Sequence, residues 1–388
     1  MANTRSLVVF YLLFFMFVGV TLPFLPVYYQ SLDIQPSRIG LLLSVGPLFA
    51  LVVPPLWGNL ADRTGRPGLV LLVLSVGSFA GFGLLLTAST FAGVLGALAV
   101  FSSFNAATTT LIDSLALAQV ERSGGSFARL RTFGSVGFVI STLLFGFGVD
   151  VVDRRVVWVA LGLIGAYSAW TLLTLARWPA QRRDGPNADV SGARSLLANP
   201  QIRWLLVASA AHWVASAPYH GSLGLHFAAL GFPPSTLSLS ASIAVASEVV
   251  VFATWPRWSH LVRPRSLLLV AFGVSAVRWG AMGLTTSATG LVALASLHGL
   301  SFGAFYVASI SWVADRAPAS LRATGQSLFV AATFGVGGLV GFTGAGRLYD
   351  LIGGQRLFQV AAAAELLPAL VVAALLVDAT REAPAPAT

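Results

Sequence analysis

Long apolar runs separated by short polar breaks occupy almost the whole of this chain. Twelve of them predict membrane-crossing helices, at 6–30, 37–57, 68–89, 92–118, 128–149, 155–176, 203–229, 235–255, 266–285, 288–312, 320–345 and 356–377. A bilayer crossing needs about 20 residues of helix, and most of these runs meet that length. The run after Met1 continues into Pro23-Phe24-Leu25-Pro26 with no small-residue cleavage site, so it is expected to be a first span rather than a removed leader. One polar stretch, with Arg182, Arg183, Asp184, Gly185, Pro186 and Asn187, breaks the series in the middle. The predicted organisation is an amino-terminal bundle of six helices (1–177), a linker (178–202), a carboxy-terminal bundle of six (203–377) and a disordered tail (378–388).

The two halves are built alike. Shifting the chain by 198 residues lays Ser31–Leu69 on Ala229–Leu267 without a gap. Leu32, Pro36 and Ser37 then meet Leu230, Pro234 and Ser235, while Val52, Val53 and Trp57 meet Val250, Val251 and Trp255. The shared Pro-Ser helix start and loop length carry more weight than the identities, because apolar composition inflates chance matches. Parallel repeats of this size build secondary transporters that bind solute between their halves.

Composition removes other classes. With 56% hydrophobic and 10% charged residues, and a mean hydropathy of +0.82, the chain is too apolar for a soluble domain. It holds no cysteine, so disulfides, thiolate chemistry and cysteine metal sites are excluded. All 23 basic residues are arginine, which excludes a Walker A loop, a Schiff base and a lysine nucleophile. No His-x-x-x-His motif suggests a membrane enzyme, and no cofactor or metal is expected. The net charge of +9 sits in short loops between spans, which points to membrane topology rather than nucleic acid. With both termini inside, sixteen arginines fall on the inner side. Five (Arg38, Arg154, Arg155, Arg347 and Arg356) fall outside, and Arg131 and Arg278 lie within spans. That asymmetry predicts a multi-pass protein of the cytoplasmic (inner) membrane with both termini cytoplasmic.

Ionisable residues inside spans are costly in a bilayer and are functional suspects by default. Asp113 in span 4 and Arg131 in span 5 are expected at similar depth, close enough to form an ion pair. Arg278 in span 9 and His298 in span 10 match in depth in the other half. Glu248 in span 8 and His212, His220 and His226 in span 7 complete the set. Tyr219, beside His220, and Trp279 are candidate cavity aromatics, and Glu365 in span 12 is a weaker candidate.

Two motifs carry a family resemblance. The loop Gly58-Asn59-Leu60-Ala61-Asp62-Arg63-Thr64-Gly65-Arg66-Pro67 closely resembles the G-x-L-A-D-R-x-G-R signature of the major facilitator superfamily. Gly58, Asp62, Arg63, Gly65 and Arg66 would then form a gate, in which Asp62 caps a helix or pairs with an arginine to latch the halves. The second-half counterpart has lost the acid, so any latch is asymmetric. Asp113 precedes Arg131 by 18 residues and Arg278 precedes His298 by 20, as in lactose permease and its relatives. Pro23-Phe24-Leu25-Pro26, Leu297-His298-Gly299-Leu300-Ser301-Phe302-Gly303 and Ala323-Thr324-Gly325-Gln326-Ser327-Leu328 resemble the phenylpropionate permease branch.

The resemblance implies an all-α integral membrane fold, with twelve helices in two pseudo-symmetric bundles that rock about a midplane site. It departs from lactose permease at Ser301, where that family has a proton-carrying glutamate, and at Phe138, where it has a stacking tryptophan. The implied substrate set is Asp113, Arg131, Phe138, Tyr219, Arg278, Trp279 and His298. Proton coupling falls to Asp113, Glu248 or His298. The expected activity is proton-coupled symport of a small organic solute, possibly an aromatic carboxylate, by a monomer in the lipid bilayer. A sugar or nucleoside symporter and a proton-coupled efflux antiporter remain alternatives; a receptor or membrane enzyme is the less favoured class.

Overall fold

Backbone amides and carbonyls in a bilayer must be satisfied within the chain, and helices do this segment by segment. The computed structural model, which describes residues 4–123, 125–176, 178 and 190–378, is helical throughout, with no strand among those residues. Spans 1 to 6 are Thr4–Ser31, Pro36–Thr64, Pro67–Leu86, Phe91–Ser123, Phe127–Gly148 and Arg155–Leu175. Span 7 runs in three pieces, Pro200–Ala217, Pro218–Ser222 and Leu223–Ala229. Spans 8 to 10 are Pro234–Trp258, Pro264–Leu284 and Ala288–Arg316. A glycine with a φ of 72°, Gly353, separates span 11 (319–352) from span 12 (354–375). A short helix, Val190–Ala198, lies within the stretch expected to be linker, and span 7 starts at Pro200 rather than 203. The rest of that linker (179–189) and most of the tail (379–388) lie outside the described residues.

Helix starts follow the sequence closely. Pro36 and Pro234, the repeat-related pair, both occupy the first helical turn behind an extended cap residue. Proline's fixed φ suits that position, and its missing N–H costs nothing there. Helix ends were harder to read. Span 2 was expected to stop at 57, where the apolar run ends, yet it continues to Thr64 because nothing interrupts it earlier. Gly65 then ends it in the left-handed conformation (φ 62°, ψ 16°) that glycine adopts without strain. Span 4 likewise runs past 118 to Ser123, in two segments that part at Ala106 and Ala107. Ahead of that break, Trp57 Nε1 donates to the Ser103 carbonyl at 2.9 Å.

Large apolar side chains such as Leu56, Leu144, Leu173, Val277, Leu284 and Leu351 stay exposed on the outside of the bundle. On a soluble protein that belt would be anomalous; here it is the lipid-facing surface. The interior of the first half is aromatic, with Phe10, Phe14, Phe17 and Phe82 packed around Tyr167 of span 6 and Phe101 of span 4.

The halves meet tightly at the face opposite the termini. Gly40 of span 2 crosses Gly346 of span 11 so closely that a Cβ on Gly346 would stand 2.9 Å from the Gly40 Cα and 2.5 Å from the Pro36 carbonyl oxygen. Asp350 of span 11 reaches across and accepts from the Ser37 backbone N–H at 2.9 Å, capping span 2 from the other half. Gly146 of span 5 abuts Ser238 of span 8, and Gly224 of span 7 abuts Val27 and Pro23 of span 1. This packing continues inward to Pro47 and Leu51 of span 2, which lie against Gly338 and Gly335 of span 11. At the terminus side the picture is different. The second segment of span 4, Thr108–Ser123, packs against spans 1, 3 and 5 of its own half.

Candidate solute and coupling site

Where a helix is interrupted, its backbone and neighbouring side chains become available for other work, and π-helical turns often mark functional sites. Such turns occur at Pro218–Ser222 in span 7, Gly299–Gly303 in span 10 and Ala331–Gly337 in span 11. The Gly299 N–H donates to Ser247 Oγ of span 8 at 2.8 Å. That bond fastens span 8 to span 10 and brings the next residue, Glu248, beside His298.

Arg278 is the centre of the second-half cluster. It is 0% exposed, yet no carboxylate lies within the 4.0 Å limit of an ion pair. Its Nη1 donates to His298 Nδ1 and to Ser301 Oγ, both at 3.1 Å. Among the described residues the Nε and Nη2 hydrogens make no hydrogen bond of good geometry. The guanidinium lies over the rings of Tyr219 at 4.1 Å and Trp279 at 4.6 Å. Buried charges are ordinarily paired, so a guanidinium with two idle donors is a candidate contact for an anion.

The tautomer of His298 follows from that geometry. Arginine has no acceptor, so Nδ1 of His298 must offer its lone pair and the ring hydrogen must sit on Nε2. Nε2 lies 3.8 Å from Glu248 Oε2. Glu248, the imidazole and Arg278 thus lie in sequence, with the 3.8 Å separation between Glu248 and His298 longer than a hydrogen bond. Phe302 stacks on the His298 ring at 5.3 Å, and Trp213 stacks on His220 at 4.4 Å. Tyr219 packs 5.4 Å from His298 and 5.2 Å from Trp279.

The first half contributes a second polar cluster. Asp113 accepts a hydrogen bond of 2.5 Å from the Tyr11 hydroxyl. Arg131 does not form the expected ion pair with Asp113; it lies over the Phe15 ring at 4.0 Å and further, 5.9 Å, from Tyr11. The depth match assumed that span 4 ends at 118, and its five extra helical residues put Asp113 deeper than that reasoning allowed. Phe138 is buried, its carbonyl against Gly19, and no described ring stacks on it. Nothing described joins it to either cluster.

The loop expected to form a gate makes no latch among the described residues. The side chains of Asp62, Arg63 and Arg66 are exposed, and none makes a hydrogen bond or ion pair to a described residue. Gly65 supplies the expected turn, but Gly58 makes no close approach, since nothing lies within 4 Å of where its Cβ would be. Gly58 and Asp62 instead line a crevice of about 540 Å³ with Thr110, Ser114 and Glu121 of span 4. Sequence reasoning did not single out Tyr11, which joins the first-half cluster through its bond to Asp113. Glu365 and His212 were also underestimated. Glu365 is 1% exposed, in the interior of the second half, and meets His212 Nδ1 at 2.8 Å.

Comparison with known proteins agrees with this architecture. The model of the MFS_1 like family matches residues 4–360. The chain is 29% identical over 332 residues to the maltose permease of Geobacillus stearothermophilus, covering 84% of this chain and 83% of that one. It is 28% identical over 361 residues to the probable 3-phenylpropionic acid transporter of Escherichia coli (strain K12), with coverage of 90% and 92%. The fold is similar to that of a variant of the nucleoside transporter NupG, with a TM-score of 0.87 at 18% identity over 96% of this chain and 99% of that one. A multi-pass helical chain that matches the family model over nearly its full length is placed by it: this protein belongs to the MFS_1 like family and is a major facilitator transporter of small solutes in a membrane.

Proposed function

We propose that this protein imports a small organic anion together with a proton across the cytoplasmic membrane, with an aromatic carboxylate as the favoured solute. The observation that carries this reading is Arg278, a fully buried cation with two unpartnered N–H donors and no acid beside it. A carboxylate accepts two parallel bonds from such a fork, which a neutral solute does less well. Tyr219, Trp279 and Phe302 offer faces for an aromatic ring next to that charge. The 28% identity to a probable 3-phenylpropionic acid transporter supports the same class.

In this reading 1–177 and 203–377 rock as two bundles about a midplane site. The sixteen-to-five arginine asymmetry supports cytoplasmic termini. The conformation described is then inward-facing, with the outer ends sealed through Gly40, Gly346 and Asp350 and the Asp62 latch released. Arg131 and Asp113 meet the solute from the first half. Glu248 is favoured over His298 as the group that passes the proton to and from water, because protonating Nδ1 of His298 would break its bond to Arg278. The monomer contains every group that the cycle requires.

The test is ligand-induced thermal stabilisation of the purified protein with 3-phenylpropionate, maltose and a nucleoside. Stabilisation by 3-phenylpropionate that disappears in Arg278→Lys, which keeps the charge and loses the fork, is the expected outcome. Stabilisation by maltose alone would move the substrate class to sugars, as the maltose permease relative would suggest. Stabilisation by 3-phenylpropionate that survives Arg278→Lys and Arg278→Ala would refute the anion site.

A further inference from the structure

The interior of the second half holds a carboxylate and an imidazole that this mechanism does not use. Glu365 sits midway along span 12, and His212 midway along span 7. Their side chains are 0% and 2% exposed. Glu365 Oε2 meets His212 Nδ1 at 2.8 Å, while Oε1 accepts from Trp279 Nε1 at 3.1 Å and from Ser216 Oγ at 3.4 Å. The His212 ring is walled off by Phe272 of span 9 and Phe305 of span 10. Trp279 is the link to the solute site, because its ring also lies beside the Arg278 guanidinium and against Tyr219.

We propose that His212 and Glu365 form a proton-holding pair coupled to the Arg278 site through Trp279. The proposal rests on the reading of Arg278 as an anion site and adds where the co-transported proton is held. Charge balance supplies the coupling. With His212 neutral, the pair carries one negative charge, and Arg278 carries one positive charge. Together they neutralise this interior, which is why neither needs an adjacent partner ion. A solute carboxylate on Arg278 leaves one uncompensated negative charge in a region of low dielectric, which is strongly unfavourable. One proton taken up by the pair restores neutrality, and in a region of low dielectric it resides as the uncharged imidazole–carboxylic acid. The proton enters from water on the side to which the solute was exposed and leaves on the opposite side with the solute. Anion and proton therefore favour each other's binding, and reciprocally so.

Other ionisable groups face this interior and could share the proton. Arg278 does so from span 9, His220 from span 7 and His298 from span 10, with Glu248 of span 8 beyond His298. His298 is committed to Arg278 through its lone pair. The side chain of Glu248 is 24% exposed, against 0% for Glu365, so it can exchange with water without being tied to the charge state of Arg278. A merely structural clamp would be served as well by any hydrogen-bonding pair and would show no titration.

The first arm of the test needs no solute. Infrared difference spectra of the purified protein between alkaline and acidic pH should show a protonated-carboxyl band that is absent in Glu365→Gln and retained in Glu248→Gln. Absence of the band in the parent protein, or its full retention in Glu365→Gln, overturns the proposal. Should Glu365→Gln fail to fold, His212→Gln must move the midpoint of the band by about one pH unit or more; an unmoved midpoint overturns the coupling. The second arm uses labelled 3-phenylpropionate in vesicles of the reconstituted protein. One proton per anion makes a gradient of about one pH unit worth about tenfold accumulation. Glu365→Gln should lose that accumulation while keeping solute exchange at equal pH, whereas Arg278→Lys should lose both. Accumulation at the parent level in Glu365→Gln overturns the pair. A parent that exchanges solute but ignores the gradient instead refutes proton symport itself, and the proposed pair falls with it.

Discussion

A methyl group added at Gly40 should shift the protein away from the conformation described here. The backbones of spans 2 and 11 touch at this point, so a Cβ on Gly40 would overlap the Phe342 carbonyl and stand 3.0 Å from the Gly346 Cα. The obstruction is backbone, which cannot swing aside as a flexible side chain could. Overpacking of this kind costs about 1–3 kcal/mol. The contact exists only when the face opposite the termini is closed, so the cost falls on that conformer alone. At 1.4 kcal/mol per factor of ten, Gly40→Ala should raise the relative population of the open conformer by about 5- to 150-fold. The absence of cysteine from the chain supplies the assay. Leu43→Cys places one thiol on span 2 where the leucine packs toward Gly221 of span 7, and an impermeant maleimide applied to that face reads its exposure. Labelling should be slow in Leu43→Cys and faster in the double variant with Gly40→Ala, and Gly346→Ala should add little to it, since both methyl groups oppose one contact. Unchanged labelling in a folded, transporting double variant would refute the backbone-contact argument.

Two further predictions separate neighbouring effects. Asp350→Ala removes the cap that the second half supplies to span 2, worth about 0.5–2 kcal/mol, and should raise Leu43→Cys labelling less than Gly40→Ala does. Ser301→Glu places a carboxylate where Oγ now accepts from Arg278 at 3.1 Å. It should occupy the guanidinium internally and weaken binding of 3-phenylpropionate by about tenfold or more, while the thermal stability of the unliganded protein is maintained. Undiminished stabilisation by the ligand would show that the anion is held elsewhere.

Much of this architecture was legible because a bilayer imposes one structural solution on an apolar run. Span number, the Pro36 and Pro234 helix starts and the Gly65 turn all follow from local rules. The adjacency of Arg278 and His298 followed from spacing and depth alone. What failed was any inference that depended on how far a helix outlasts its apolar run. The Asp113–Arg131 pair was misjudged for that reason, and both residues instead took aromatic partners that spacing does not reveal, Tyr11 and Phe15. Glu365 was rated a weaker candidate, because sequence alone does not show that its side of span 12 faces the bundle interior. Whether a face points to lipid or to a neighbouring helix is set by packing of the whole bundle. The useful signal was present but unread: a lone carboxylate midway along an apolar span requires a donor at the same depth, and His212 is a histidine at that depth.

The 198-residue repeat explains the frame but not the chemistry. Pro36 and Pro234 do the same work in both halves, whereas Trp57 and Trp255 do not. Trp57 Nε1 donates to a carbonyl beside the break in span 4, while Trp255 packs edge-on against Trp258 at 4.7 Å. The ionic groups diverge further. In the first half the carboxylate of Asp113 has a hydroxyl donor and Arg131 has an aromatic face, so each is partly compensated where it stands. In the second half the cation and the carboxylate are held apart by Trp279, and the cation keeps two idle donors. A symmetric pair of compensated clusters would bind a solute without reason to prefer a charge. In the proposed reading the idle donors of Arg278, rather than a net charge, provide that preference, so the half whose cation has no direct ionic partner is the one that would select the solute.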